Sequence, residues 1–474
     1  MRRHRAVIVL AGAAALWCAA PPAVAWAGTW GTAIEVPGLG SLNQGGNAQL
    51  AWVSCASAGH CTAGGFYRDG SGHGQAFVVR EKNGIWAKAI EVPGSGTLDA
   101  GGGAEVKSVS CATAGNCAAI GVYADGSGKT QAFVVSKANG VWGNAIEVPG
   151  LGALNKDGAV ATDSVSCASA GNCAAAGGYL DGSDRFQVFV VSETNGTWGT
   201  AREVPGVGTL NAGGDAAVFS VSCATAGNCA AGGFYTDGSG HTQAFVVSQA
   251  NGTWAKAIEV PGSGTLNTAG NAATDSVSCA TAGNCVAAGG YKDGSGHLQA
   301  FVVRETSGSW RGAFEVPGTG ALNFGGFANA DSVSCASAGN CAVGGSYTDG
   351  GGRAQAFVAS ETNGTWKKAI QVPGSGTLPA GRLGNVTLVS CASAGNCTAG
   401  LTYTADFDLQ QAFVASETNG AWGNATGIPG LATLNAGGNA AVTSVSCGAA
   451  GNCAAVGSYT DGSGHTQAFV VSQA

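Results

Sequence analysis

Charge is what this chain has least of. Only 10% of its 474 residues are Asp, Glu, Lys or Arg, and acid outnumbers base by seven. A sparse, acidic surface gives no electrostatic handle for nucleic acid or anionic lipid, so both partner classes are excluded. Histidine is also scarce, with six residues in all. No stretch keeps apolar residues at a 3.6-residue period over ten or more positions, which excludes a helical architecture. Beyond the N-terminus no apolar run is long enough to span a bilayer, so no membrane insertion is expected.

Glycine and cysteine, by contrast, are plentiful, at 82 and 17 residues. The N-terminus carries Arg2, Arg3 and Arg5, then the apolar run AVIVLAGAAAL, then the small-residue patterns Ala23-Val24-Ala25 and Ala25-Trp26-Ala27. This order of basic, apolar and small residues predicts a secretory signal over residues 1–27, with a mature domain over 28–474. Cys18 lies inside the signal behind Trp17, a poor setting for a lipid anchor. An even set of sixteen cysteines remains in a chain expected to be secreted, a composition that reads as disulfides.

The cysteines come as SCxxxGNC or close variants, eight times, the first copy reading SCASAGHC at 54–61. Trp30, Trp86, Trp142, Trp198, Trp254, Trp310, Trp366 and Trp422 stand 56 residues apart, and the leading cysteines keep the same step. Eight such units fill the mature chain with nothing left for a second domain, which points to a solenoid, a propeller or an array. Within the unit at 163–205, four short apolar runs, DSVSC, CAAAGGY, QVFVVS and TWGTAREVP, are separated by breaks rich in Gly, Asn and Asp. Four strands joined by tight turns, repeated eight times, predict an all-β fold: an eight-bladed β-propeller of four-stranded antiparallel blades. The mature chain begins with a fourth strand and ends after a third one. Thr29–Val36 is therefore expected to pair with Gln467–Ser472 and close the ring. On that outermost strand Trp30, Thr32, Ile34 and Val36 are expected to share the covered face.

The cysteines of each pair end one strand and begin the next, so they face each other across a short turn. The expected disulfides are Cys55–Cys61, Cys111–Cys117, Cys167–Cys173, Cys223–Cys229, Cys279–Cys285, Cys335–Cys341, Cys391–Cys397 and Cys447–Cys453. Metal ligation fits poorly, because the spacing is wide and only His60 adjoins a pair.

The pattern SVSC…GNCAAxGxY…QAFVVS…NGxW resembles repeats of secreted, mostly uncharacterised bacterial propeller proteins, over essentially the whole mature chain. That resemblance implies a propeller and no activity. The turn SETNGTW at 192–198 is more distantly similar to the Asp-box of sialidase-like propellers. It is one residue shorter, with Thr194 where the box has its Asp, and nothing catalytic carries over.

Chemistry is expected on the face that holds the second-to-third-strand loops and the blade-to-blade connections. All eight tyrosines precede those loops: Tyr67, Tyr123, Tyr179, Tyr235, Tyr291, Tyr347, Tyr403 and Tyr459. They are candidate platforms for a sugar, or else strand-end residues packed between blades. Asp69, Asp125, Asp181, Asp237, Asp293, Asp349 and Asp461 follow two residues later, and repeat seven has Ala405 instead. Asp-Gly is turn chemistry first. Calcium stays open as a cofactor, but one carboxylate per loop is a meagre oxygen set. His73, His241, His297 and His465 share one loop position, and Gln75, Gln131 and Gln187 are expected to bond the turn backbone. Asn195, Asn251 and Asn363 match a glycosylation acceptor, but Asn-Gly at a hairpin explains them. Repeats three (Asp184, Arg185, Phe186) and seven (Arg382, Ala405, Asp406, Asp408) depart most from the others, without forming an acid–base pair.

Near-identical repeats supply symmetry, whereas catalysis needs an asymmetric constellation. The sequence thus points to a secreted, non-enzymatic binding propeller, expected to be a monomer, with a glycan or cell-surface ligand engaged by the repeated loops and no metal. A carbohydrate hydrolase or lyase built on the divergent loops, or a purely structural coat protein, are the alternatives.

Overall fold

The computed structural model describes residues 28–377, 383–404 and 409–474. The expected signal with Cys18, and Arg382, Ala405, Asp406 and Asp408 of repeat seven, lie outside the described residues.

Eight antiparallel sheets follow one another as the blades of a propeller. In blade one the first strand is Ala48–Ser57, the second His60–Arg68 and the third Gly74–Lys82; the outer edge is split into Ile85–Trp86 and Ile90–Glu91. Blade eight has three strands of its own, Ala440–Ala449, Asn452–Thr460 and Thr466–Ser472, and takes its fourth from Ile34–Glu35. There Ile34 lies opposite Val470 and Glu35 opposite Phe469, and Trp30 bridges Gln473.

The third strand is apolar on both faces because both are covered. Phe77, Phe133, Phe189, Phe245, Phe301, Phe357 and Phe469 are all buried. The core is thus a series of inter-blade layers, each joining side chains of two neighbours, such as Ala118, Ile120 and Val134 with Val165, Tyr179 and Phe189. The connecting segments hold single-turn helices such as Ser95–Leu98 and Leu151–Leu154, too short for a period of 3.6 to show.

The S-x-S-C repeat has a specific cause. A first strand has no partner on its inner side, so its N–H groups would be left bare. Serine hydroxyls of the preceding blade accept them. Cys111 N–H donates to Ser54 Oγ at 2.9 Å, Cys167 to Ser110 and Cys223 to Ser166, and the series closes with Cys55 donating to Ser446 Oγ. The eight bonds form a complete ring.

The outermost strand corrects one expectation. It is broken, so the strict alternation Trp30, Thr32, Ile34, Val36 does not hold: Ala33 and Val36 are buried, while Ile34 is 43% exposed. The break frees the alanine N–H to reach the preceding blade. Ala89 donates to Pro37 O at 2.8 Å, Ala145 to Pro93 O at 2.7 Å, and Ala33 to Pro429 O at 2.8 Å. A period-two strand would have turned those N–H groups elsewhere. Alternation predicts a continuous edge, and the inter-blade hydrogen bond overrides it.

All eight disulfides form within their hairpins, each joining residues that face each other in the ladder, as Cys167 faces Cys173. Eight disulfides fit an oxidising, extracellular setting. Among the described residues no helix is long and apolar enough to cross a membrane.

Candidate functional site

On the loop face the polar residues are engaged by the fold itself. All eight tyrosines are buried, at 2–6% exposure, so none offers a ring to a ligand. Five donate their hydroxyl to a carboxylate of the outer edge: Tyr67 to Glu91 (3.2 Å), Tyr123 to Glu147 (3.4 Å), Tyr179 to Glu203 (3.3 Å), Tyr235 to Glu259 (3.3 Å) and Tyr459 to Glu35 (3.4 Å). Burial and the neighbouring carboxylates push these phenols up. Burial and nearby acids likewise raise Tyr291 and Tyr347, each to about 12. The candidate platforms of Tyr67, Tyr123, Tyr179, Tyr235, Tyr291, Tyr347, Tyr403 and Tyr459 are therefore inter-blade packing residues.

The aspartates hold their own turns. Asp69 Oδ1 accepts the N–H groups of Ser71 and His73, and its Oδ2 accepts from Gln75 Nε2 at 3.0 Å. Asp125, Asp181, Asp237, Asp293, Asp349 and Asp461 repeat this arrangement. In Asp125 the bonds from Ser127 and Gln131 hold the carboxyl below the usual range. The glutamines thus bond the carboxylate rather than the turn backbone. They also pass the network on, since Asn155 Nδ2 donates to Gln131 Oε1 at 3.1 Å and Asn267 Nδ2 to Gln243 Oε1 at 2.9 Å. The loop histidines lie against the next blade: a Cβ on Gly102 would come within 2.7 Å of His73, so a side chain at that position, at φ 75°, would be strained. Arg185 of repeat three is tied to the carbonyls of Asn211 and Ala212. Asn83, Asn139, Asn195, Asn251, Asn363 and Asn419 all have φ near 50° ahead of a positive-φ glycine, the backbone of a tight hairpin turn.

The roomy grooves lie on the opposite face, between the disulfide turns of adjacent blades. One at blades one and two has a volume of about 410 Å³ and is lined by His60, Arg80, Glu81, Thr113, Lys137 and Asn139 among others. A second, about 510 Å³, continues it toward the rim past Arg80, Lys137, Ile90, Val141 and Trp142. The corresponding space at blades three and four is about 220 Å³, and the one at blades eight and one, past Ile34, Trp86 and Gln473, is about 640 Å³.

The floor of this face is a ring of buried polar side chains, one per blade: Glu81, Lys137, Glu193, Gln249, Glu305, Glu361, Glu417 and Gln473, each 2–5% exposed. Glutamate recurs every second blade, and there it sits in a clasp. Ser248 Oγ donates to Glu305 Oε1 at 2.6 Å while accepting Trp310 Nε1–H at 2.9 Å. Ser136 with Glu193 and Trp198, Ser360 with Glu417 and Trp422, and Ser472 with Glu81 and Trp86 repeat it. Burial raises these carboxyls and the serine bond opposes the rise. The alternate junctions differ among themselves. Gln249 Nε2 donates to Ser192 Oγ at 3.2 Å. Arg304 forms an ion pair with buried Glu361.

Blades one and two break the pattern. Arg80 stands where Arg304 stands four blades on, but the residue facing it is Lys137 instead of a glutamate. Lys137 is 5% exposed, and among the described residues its ammonium has only the Trp142 ring, 5.5 Å away. Burial, and then Arg80, lower this ammonium to about 8. His60 takes the place of the asparagine found at 116, 172, 228, 284, 340, 396 and 452.

At the inner rim, Asn329 Nδ2 donates both to Asp275 of the neighbouring blade (2.9 Å) and to Asp331 (2.6 Å). Burial raises Asp275 to about 6; burial, then the Asp275 charge, raises Asp331 to about 7. Asp163 occupies the same repeat position and is raised by burial to about 6, while Lys107 opposes the rise. Sequence reasoning missed both clusters. The signal was available: these positions differ between repeats, but the strands and not only the loops had to be compared column by column. Among the described residues no group of three His, Cys, Asp or Glu is placed to hold a metal ion.

No protein-family model matches the chain, and no curated protein matches its sequence. Among solved structures it is similar to a lectin from Burkholderia pseudomallei (14% identity, 81% of this chain and 99% of that one, TM-score 0.44). It is also similar to a structure from a study of two prolyl endopeptidases (12%, 92% and 55%, TM-score 0.45) and to a microbial sialidase (12%, 73% of each, TM-score 0.38). Similarity at this level carries no functional argument.

Proposed function

We propose that this chain is an exported, non-enzymatic binding protein whose ligand, a cell-envelope saccharide, seats between blades on the disulfide-turn face. One observation carries this reading: the groove at blades one and two coincides with the place where the repeat pattern is broken. Elsewhere the buried polar ring is partnered within the protein, and here it is open. Half-buried Trp142 supplies an apolar ring face and Arg80 and Asn139 supply donors, a combination suited to sugars. The loop face, by contrast, spends its tyrosines and aspartates on the fold. Titrating the full mature protein with fractionated envelope polysaccharides, in wild type and in Trp142→Ala, tests the reading. Binding weakened at least tenfold by Trp142→Ala is expected; binding that survives this change but is lost with Asp69→Ala and Asp125→Ala would return the site to the loop face.

A second reading, a glycan hydrolase, is favoured by Asp275 and Asp331, two carboxyls that share one amide and are both raised by burial. Release of reducing ends from the bound polysaccharide, abolished by Asp331→Asn, would establish it.

A further inference from the structure

We propose that the junction of blades one and two is an oxyanion site, and that the saccharide held there is acidic, its carboxylate, sulfate or phosphate group seated between Arg80 and Lys137. This rests on the disulfide-turn face being the ligand face, and it adds the chemical class of the ligand.

The protein carries its own template for the interaction. At blades five and six, Arg304 reaches across the junction to the carboxylate of Glu361 and donates to Gly364 O at 3.1 Å. At blades one and two, Arg80 occupies the arginine position, and a Cβ on Gly140, the counterpart of Gly364, would lie 3.9 Å from its Nη1. The carboxylate is missing, because residue 137 is lysine. The Lys137 stem is buried while its ammonium meets the groove without a counterion, and two cations across one junction repel each other. The fold retains both in a chain with more acid than base. The groove beside them is large enough for a sugar ring, and an oxyanion placed there would neutralise the pair as Glu361 does its arginine.

The surrounding groups fit an anion. His60 adds a third basic side chain to the lining, and Lys82 a fourth. Glu81 is the one carboxylate on the wall, and its Oε1 already accepts the Ser472 hydroxyl of blade eight. All four basic residues depart from what most other repeats hold at the same positions: serine in six of them at 80, alanine or threonine in the other seven at 82, glutamate or glutamine in the other seven at 137, and asparagine in the other seven at 60. Drift scattered over eight equivalent junctions has no reason to converge on one.

The test is calorimetric titration of the full mature protein with a short oligogalacturonate, with its neutral methyl ester, and with inorganic sulfate and phosphate. Two variants accompany it. Lys137→Glu recreates the Arg–Glu pair of blades five and six, so a folded precedent exists in the same chain; Arg80→Ser recreates the commonest residue at that position. The acid is expected to bind at least tenfold more tightly than the ester, with the preference weakening as salt rises, and each variant to lose at least tenfold for the acid. Lys129→Ala, on the loop face, should change nothing. Equal binding of acid and ester, unaffected by Lys137→Glu, overturns the oxyanion site while leaving a neutral-saccharide groove intact. Sulfate or phosphate binding lost in Lys137→Glu, with no saccharide bound at all, keeps the anion site and overturns the saccharide reading. No binding of any probe overturns both.

Discussion

Removing one hydroxyl, in Ser248→Ala, tests whether the alternating clasp at the blade junctions contributes to stability. Ser248 Oγ serves two partners across the junction: it donates to the buried carboxylate of Glu305 and accepts from Trp310 Nε1. Truncation leaves a buried charge short of a donor and an indole N–H short of an acceptor. A hydrogen bond to a charged group contributes about 1.5–3 kcal/mol and a neutral one about 1, so the loss should be about 3 kcal/mol. The control lies one blade back. Ser192 Oγ accepts only from Gln249 Nε2, at 3.2 Å, and Trp254 Nε1 has no partner there, so Ser192→Ala should cost about 1 kcal/mol. Guanidinium unfolding followed by tryptophan fluorescence, disulfides intact, measures both. The pH dependence sharpens the test. Glu305 is raised in the folded state by burial, so its favourable contribution is complete at low pH and is lost as pH rises through the folded value. Without the opposing serine bond the carboxyl rises further, so the gap between wild type and Ser248→Ala should widen from pH 4 to pH 8. Equal losses in the two serine variants, or a gap that narrows with rising pH, would refute the clasp.

Two further outcomes follow from the residues reassigned to structure or newly found. Tyr179→Phe removes the 3.3 Å bond to Glu203 and should cost about 1 kcal/mol in the same unfolding assay, with saccharide titrations unchanged. Asp331 is raised to about 7 in the folded protein, so the protein should lose about 4 kcal/mol of stability as pH climbs from 4 to 8; Asp331→Asn should flatten that slope, and an unchanged slope in denaturant midpoints would show that Asp331 titrates as in the unfolded chain.

Much of the architecture was legible because one physical rule repeats eight times. Tryptophans and cysteine pairs every 56 residues, Asn-Gly turns and apolar third strands each demand the same local structure, and their agreement leaves a closed propeller. What stayed hidden depends on the neighbouring blade. The serine before each leading cysteine reads as a merely small residue, yet its hydroxyl bonds a backbone N–H 57 residues away, one beyond the repeat. The outer edge reads as an alternating strand, yet Ala89 leaves the ladder for Pro37 O of the preceding blade. Tyrosine before a loop reads as a platform, and only the fold shows Glu91 waiting for its hydroxyl. A periodic sequence specifies the blade, whereas the angle between blades decides which polar atoms meet.

That division also bears on where function can arise in such a ring. A contact made in every or nearly every repeat is part of closing the circle: the serine ring and the alanine–proline bonds, each made eight times, and the seven aspartate turns are all consumed in this way. Substituting any of them costs stability before it can offer anything to a ligand. Freedom exists only where the repeat is broken at a position the ring does not need. The buried polar floor is such a position, since glutamate, glutamine and lysine all occupy it without disturbing the blades. Of its departures, Arg304 facing Glu361 is paired within the protein, and Gln249 is neutral and bonded to Ser192. Lys137 beside Arg80 is the one whose charge the protein leaves uncompensated among the described residues, and it lines a groove open to solvent. The physical demand at that junction is for a negative group from outside the fold, which is why a carboxylated or sulfated saccharide, and not a neutral one, is the ligand to try first.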